Sequence, residues 1–238
     1  MTSADGWQAV WERKGSQVRA GSADLGQLLR ANGYDTGHGN LTVDAWKSYV
    51  ARVGEQLGAC PGDSVYEVGC GAGAFLIPLQ ESGLIVAGSD YSSTLVEAAS
   101  KALPAGTFEC CEANEVSAEP QYDHVVASGV FMYFNSLDYA GDVIQIICAK
   151  SRRGVAIMDI PDIAVREQTI ALRYQTAGSQ EEYERRYKKN LDHQYYQRDW
   201  FAQALKSAGA KKSVLVCDQD IEGYGNAAGR FNVFASVS

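Results

Sequence analysis

The sequence predicts an α/β domain, doubly wound around a mostly parallel sheet, and three observations carry that reading. Ser64–Val68 is a short apolar, β-favouring run that breaks at Gly69–Gly73, where only small residues make the turn, and a helical pattern resumes from Ala74. A second apolar run, Leu84–Gly88, delivers Asp90 to the next strand tip. From Asp63 onward, apolar runs alternate with amphipathic stretches, the pattern of crossovers that build a parallel sheet with helices on both faces.

Ahead of that unit the pattern is helical. Asp5–Lys14 places Trp7, Val10 and Trp11 at helical spacing before Gly15. Ser22 is expected to cap a second short helix through Leu25, Leu28 and Leu29, ending near Gly33. A glycine-rich loop carrying Tyr34, Asp35 and His38 follows. Thr42 then caps a longer helix with Val43, Trp46, Tyr49, Val50, Val53 and Leu57 on one face, stopped by Gly58. Residues 1–60 are therefore read as an N-terminal helical extension that either folds over the strand tips as a lid or packs on the sheet edge, and residues 61–238 as the main domain.

Within the main domain, Pro78 falls inside the first helix and is expected to kink it. Ser92 caps the next helix, through Leu95, Val96, Ala98 and Ala99, which Pro104 closes. Thr107–Cys111 and Tyr122–Ser128 read as the third and fourth strands. A helix carrying Leu137, Val143, Ile144, Ile146 and Ile147 follows, then a fifth strand over Gly154–Ile160. Asp162–Tyr196 departs from the alternation. It is polar, helical in composition and rich in long side chains, and reads as a helical cap insertion ahead of a helix over Asp199–Ala208. Two short strands, Lys211–Cys217 and Phe231–Val237, close the chain as a hairpin with a long tip.

Composition narrows the function classes. At 238 residues, with 46% apolar and 21% charged side chains, the chain is an ordinary globular one with room for a sizeable core. A net charge of -8 and a pI near 4.9 argue against a nucleic-acid partner, which needs a basic face. No apolar run approaches a membrane span and Met1–Gly15 has no signal-peptide core, so neither a membrane partner nor export is expected, and the location reads as cytoplasmic. Cys60, Cys70, Cys110, Cys111, Cys148 and Cys217 show no paired metal-ligand spacing, so reduced thiols and no metal are expected.

The glycine turn admits two cofactor classes. Gly69, Gly71 and Ala74 satisfy the G-x-G-x-x-G/A dinucleotide fingerprint, which taken alone permits an NAD-dependent oxidoreductase. Glu67 before the first glycine, the additional Gly73, Asp90 and the Glu112-Ala113 pair shift the balance. With these residues the stretch from Asp63 to the C-terminus resembles the class I S-adenosylmethionine-dependent methyltransferases. Glu67–Gly73 is similar to their first motif, Asp90 to their ribose-binding acid, Glu112-Ala113 to the pair that holds the adenine, and Tyr122–Ser128 to their fourth strand. The resemblance implies a seven-stranded sheet with a reversed C-terminal hairpin strand. It also implies S-adenosyl-L-methionine as cofactor, leaving as S-adenosyl-L-homocysteine, held by Glu67, Gly69, Cys70, Gly71, Asp90, Tyr91, Glu112, Ala113 and Ser128.

The expected reaction is in-line methyl transfer to a nitrogen or oxygen of a small organic molecule, with a non-catalytic cofactor-binding regulatory module as the alternative from another class. Ser128-Gly129-Val130-Phe131-Met132-Tyr133-Phe134 departs from the Asn-Pro-Pro-Tyr-like turn of the amide and nucleobase methylating enzymes, which favours a small organic acceptor. His38, His193 and Tyr133 are the candidates for acting in the reaction, whereas His124 lies within a strand and reads as packing. Tyr34, Tyr133, Arg166 and Arg173 are expected to meet the substrate, the arginines by pairing with an anionic group on it.

Overall fold

The computed structural model describes residues 3–18, 24–34, 39–186, 192–211 and 214–238. Three helices come first: α1 (Ser3–Ser16), α2 (Leu25–Ala31) and α3 (Val43–Leu57). The cap of α2 is Asp24, whose side chain accepts from the Gln27 N–H at 2.8 Å, in place of the expected Ser22, which lies outside the described residues. Thr42 caps α3 as its sequence implies, and Gly58 ends it in the left-handed conformation. Trp46, Tyr49, Val50 and Val53 form the buried stripe of α3.

Strands and helices then alternate through β1 (Ser64–Val68), α4 (Leu76–Glu81), β2 (Ile85–Asp90), α5 (Ser93–Ala102), β3 (Thr107–Cys110) and β4 (Tyr122–Ser128). They continue through α6 (Leu137–Lys150), β5 (Ser151–Pro161), α7 (Arg166–Ala177), α8 (Gln180–Arg186), α9 (Arg198–Ser207), β6 (Leu215–Asp218) and β7 (Arg230–Ser236). Among the described residues the seven strands form one sheet in the order β3-β2-β1-β4-β5-β7-β6. It is parallel from β3 to β5, while β7 runs antiparallel to both β5 and β6. The expected doubly wound sheet with a reversed C-terminal hairpin is thus present.

Several boundaries move for physical reasons. Pro78 does not kink α4, because that helix starts at Leu76; proline then sits in the first turn, where its missing N–H has no intrahelical partner to lose. The fifth strand is longer than expected, since Ser151–Arg153 pair on as well. Residues 192–197, which the sequence places in the helical cap, are not helical: Tyr196 bridges to Asp162 in parallel, and its phenol donates to the Phe131 carbonyl at 2.8 Å, so they return as an extended strap. The cap is therefore two helices over residues 166–186 followed by that strap.

Alternation along the strands divides the core. Val65, Val126 and Ala156 face one layer with Trp46, Phe75, Leu76 and Leu95. Tyr66, Val125, Val155 and Ile157 face the other with Val143, Ile147, Phe201 and Leu205. The N-terminal helices complete the first layer. Glu12 on α1 accepts from the Ser93 and Thr94 N–H groups at 2.8 and 3.3 Å, and its carbonyl accepts from the Thr94 hydroxyl at 2.8 Å, so an acid of one helix caps another. Gly15 permits that approach, for a Cβ there would stand 2.2 Å from Thr94 Oγ1.

Trp46 ties α3 to the start of α4 by donating from Nε1 to the Ala74 carbonyl at 2.9 Å while fully buried. Trp46→Ala should therefore cost about 3–5 kcal/mol of unfolding free energy, through the cavity and the orphaned carbonyl together. Chemical denaturation followed by circular dichroism measures this, and a loss below about 1 kcal/mol would contradict the packing described.

Candidate functional site

The strand order reverses direction between β1 and β4, and in an open α/β sheet that is where a crevice opens above the strand ends. The turn leaving β1 shapes its floor. Gly69 and Gly71 have φ of 74° and 54°, a region other residues enter only at a cost, and the Gly69 and Cys70 N–H groups both donate to the Ser89 carbonyl at 2.8 Å. Asp90 at the end of β2 accepts from the Gly71 N–H through Oδ2 and from the Ser92 N–H through Oδ1, each at 2.9 Å. The acid is thereby locked to the glycine turn, and burial pushes its pKa up to about 6.

Asn32, just past α2, clamps the same turn from the other side. Its Nδ2 donates to the Cys70 carbonyl at 3.1 Å and its Oδ1 accepts from the Ala72 N–H at 2.7 Å. Sequence reasoning missed it, since a lone asparagine past a short helix reads as a C-cap. Above the turn, Gly69, Ser89, Asp90, Tyr91, Cys111, Glu112, Ala113, Val130, Tyr133 and Tyr139 line a cleft enclosing about 600 Å³, part of it open to solvent. Trp7 reaches its wall from α1, and Tyr139 donates to Glu112 at 3.0 Å.

The residues singled out from the sequence occupy three places. Gly69, Asp90, Tyr91, Glu112, Ala113 and Tyr133 line the cleft. Glu67, Cys70 and Gly71 lie beneath it. Glu67 is 1% exposed, with Oε2 lacking a hydrogen-bond partner among the described residues, and burial and the nearby Asp90 hold its pKa well above the ordinary carboxylate value. The Cys70 side chain packs against Gly88 in β2, so Gly69 rather than Cys70 faces the open space.

The third group stands over the tips of β4 and β5. Tyr34 and Ser128 share a hydrogen bond at 2.9 Å, and Tyr34 packs on Trp46 and Tyr224 with ring centroids 4.4 and 5.6 Å apart. His193, on the strap, stacks on Trp7 at 5.1 Å and meets the edge of Tyr133 at 5.4 Å. Burial, with Arg173 and Arg230 nearby, holds the His193 pKa well below its usual value, so the ring is neutral. Arg173 is half-buried near Tyr133 and His193, whereas Arg166 is exposed and lies over the Tyr195 ring at 5.6 Å. His38 lies outside the described residues.

Two more residues at these tips escaped the sequence reading. Asp159 sits where the β5–β7 ladder shifts register, with φ of 59°, the one non-glycine residue described in the left-handed region. Its N–H donates to Asn232 Oδ1 at 3.0 Å and its Oδ2 accepts from Tyr224 at 2.9 Å. Arg230, opening β7, is 3% exposed and 3.7 Å from Asp159 Oδ1. The available signals were an acid ending a strand two residues before Pro161 and an arginine opening an apolar one.

Comparison with known proteins follows the same geometry. A family model described as a methyltransferase domain matches residues 66–150. An uncharacterized protein of Haemophilus influenzae is 25% identical over 144 residues, and the chain spans about half the length of that curated relative, 52% of each being covered. Among solved structures, magnesium protoporphyrin IX methyltransferase from Synechocystis PCC 6803, crystallised with SAH, superposes with a TM-score of 0.60 at 18% identity, covering 98% of this chain and 97% of that one. A TehB-like SAM-dependent methyltransferase from Corynebacterium glutamicum gives 0.56 at 13%, covering 98% and 96%. Residues 66–150 match that methyltransferase domain model, and the chain that carries them has the fold of the class I S-adenosylmethionine-dependent methyltransferases.

Proposed function

We propose that the protein transfers a methyl group from S-adenosyl-L-methionine to a nitrogen or oxygen of a small organic molecule. The observation that carries this reading is the convergence of the Gly69 turn, Asp90 and Glu112-Ala113 around one cleft whose far wall is Tyr133. The residues fit the cofactor by their chemistry. Asp90 has lone pairs left for two ribose hydroxyls, and the orphaned Glu67 Oε2 suits an ammonium, directly or through water. Glu112 accepts from an adenine amino group, and Ala113 offers a backbone N–H. Neighbouring solved enzymes crystallised with SAM and SAH support the same cofactor.

When bound, S-adenosylmethionine supplies an electrophilic methyl carbon whose C–S bond breaks as an acceptor lone pair bonds to it, leaving a neutral thioether. The chain's part is to align the two reactants and keep water out. Val130 and Tyr133 wall the acceptor side, and Trp7 closes the cleft from α1, which gives the N-terminal extension the role of a lid. Tyr133 keeps its proton, because burial raises its pKa, and serves as wall and donor. Neutral His193 is in the right state to accept a proton, but its low basicity restricts it to acceptors that release one readily. The unbridged cysteines fit a reducing, cytoplasmic setting.

Calorimetry with S-adenosylmethionine, S-adenosylhomocysteine and NAD tests the cofactor class. Binding of the first two and not NAD is expected, and NAD binding alone would favour an oxidoreductase. Asp90→Ala should weaken S-adenosylhomocysteine affinity by about 1.5–3 kcal/mol for each charged hydrogen bond lost.

Asp90 also sets a pH dependence. Its pKa in the folded protein, about 6, stands above the usual 3.8. In the ligand-free protein, the stability linked to this group is therefore greatest below the usual value and is lost as pH rises through about 6. Ribose recognition needs the carboxylate, so S-adenosylhomocysteine affinity should fall roughly tenfold from pH 8 to pH 5. Titration calorimetry at several pH values measures it, and the slope should flatten in Asp90→Asn.

A further inference from the structure

Beside the cleft, on the acceptor side, lies a second set of buried polar groups that the methyl-transfer reading leaves unused. Arg230 is 3% exposed, yet its Nε and Nη1 have no hydrogen-bond partner among the described residues. The Asp159 carboxylate stands at 3.7 Å, beyond hydrogen-bond reach, and its Oδ1 is likewise without a hydrogen-bond partner among the described residues. A buried guanidinium left in this state costs free energy, because its water has been removed and too little put in its place. A pair serving only the fold would close that gap.

The surroundings show which charge is missing. Thr169 on α7 presses against Gly229, the residue before β7, for a Cβ there would stand 2.7 Å from Thr169 Oγ1. Arg173 follows one helical turn later on the same face and lies close enough to Asp159, Tyr133 and His193 to bias all three. Asp159 and the neutral His193 imidazole thus both feel two guanidiniums, those of Arg230 and Arg173. The Tyr195 hydroxyl and His193 Nδ1 are also buried without hydrogen-bond partners among the described residues. The group adjoins the cleft: a Cβ on Gly129 would stand 3.5 Å from Asp159 Oδ2, and the next residue, Val130, lines the cleft together with Tyr133.

Resting on the methyltransferase reading for its reaction but not for its charge, we infer that the acceptor is a small organic acid whose carboxylate docks on Arg230, with Arg173 completing the pair. Arg230 is then a substrate-binding residue and Asp159 the counter-charge that holds its guanidinium until the acid arrives. Planar guanidinium and planar carboxylate match in bidentate geometry, which Nε and a terminal Nη can provide. The left-handed backbone at Asp159 belongs to the same device, as strain of this kind is stored where a side chain must be aimed.

Benzoate and its uncharged analogue benzamide are the probes, titrated into the full chain with S-adenosylhomocysteine present and followed by tryptophan fluorescence, Trp7 being in the cleft wall. Benzoate should bind about tenfold or more tighter than benzamide, a preference lost in Arg230→Gln and reduced in Arg173→Gln. Asp159→Asn should strengthen benzoate binding, since it removes the competing carboxylate and asparagine tolerates the left-handed backbone. Benzoate that binds no better than benzamide, or that keeps its preference in Arg230→Gln or gains nothing in Asp159→Asn, overturns the inference. S-adenosylhomocysteine calorimetry on each variant reports folding and cofactor binding separately. Should the wild-type chain bind no S-adenosylhomocysteine while benzoate follows the expected pattern, the methyl-transfer reading falls and the anion site stands.

Discussion

The structure depends on holding one turn of backbone still. Between β1 and α4 the chain must pass close under a cleft, which calls for glycines, and glycines alone leave a loose loop. Asp90 from the next strand and Asn32 from the preceding helices fix it, each by hydrogen bonds to main-chain groups of the turn. The sheet supplies the first clamp and the N-terminal helices the second. The packing of Trp46 beneath Ala74 and of Glu12 on the start of α5 therefore serves the same end as the clamps themselves.

That arrangement assigns the two sides of the cleft different physics. On the side of β1, β2 and β3 the groups are acidic or main-chain, and Glu67 and Asp90 are both held above their usual pKa by burial. Over β4, β5 and β7 the charge reverses, with Arg173 and Arg230 around a single Asp159. A net charge of -8 over the whole chain hides this local excess of cation.

The sheet was legible in the sequence because strand periodicity and glycine placement are local signals. The turn at Gly69, the acid at Asp90 and the Glu112-Ala113 pair could be read in order without knowing the tertiary structure. Asn32, Asp159 and Arg230 could not, because each acquires its role from a partner far along the chain. Asp159 and Arg230 meet only through the antiparallel β5–β7 pairing. The insertion after β5 was overread as helix, since composition reports helical tendency and is blind to the Tyr196–Asp162 bridge that straightens the strap. Pro78 misled for a related reason, a shift of two residues in the helix start turning a breaker into an acceptable first-turn residue.

The cap that Glu12 forms on α5 also steadies a wall of the cleft. Trp7, about one and a half turns earlier on the same helix, belongs to the cleft wall, so the helix that supplies this part of the wall is anchored further along by hydrogen bonds to Ser93 and Thr94, and a change at that distant contact would reach the cleft.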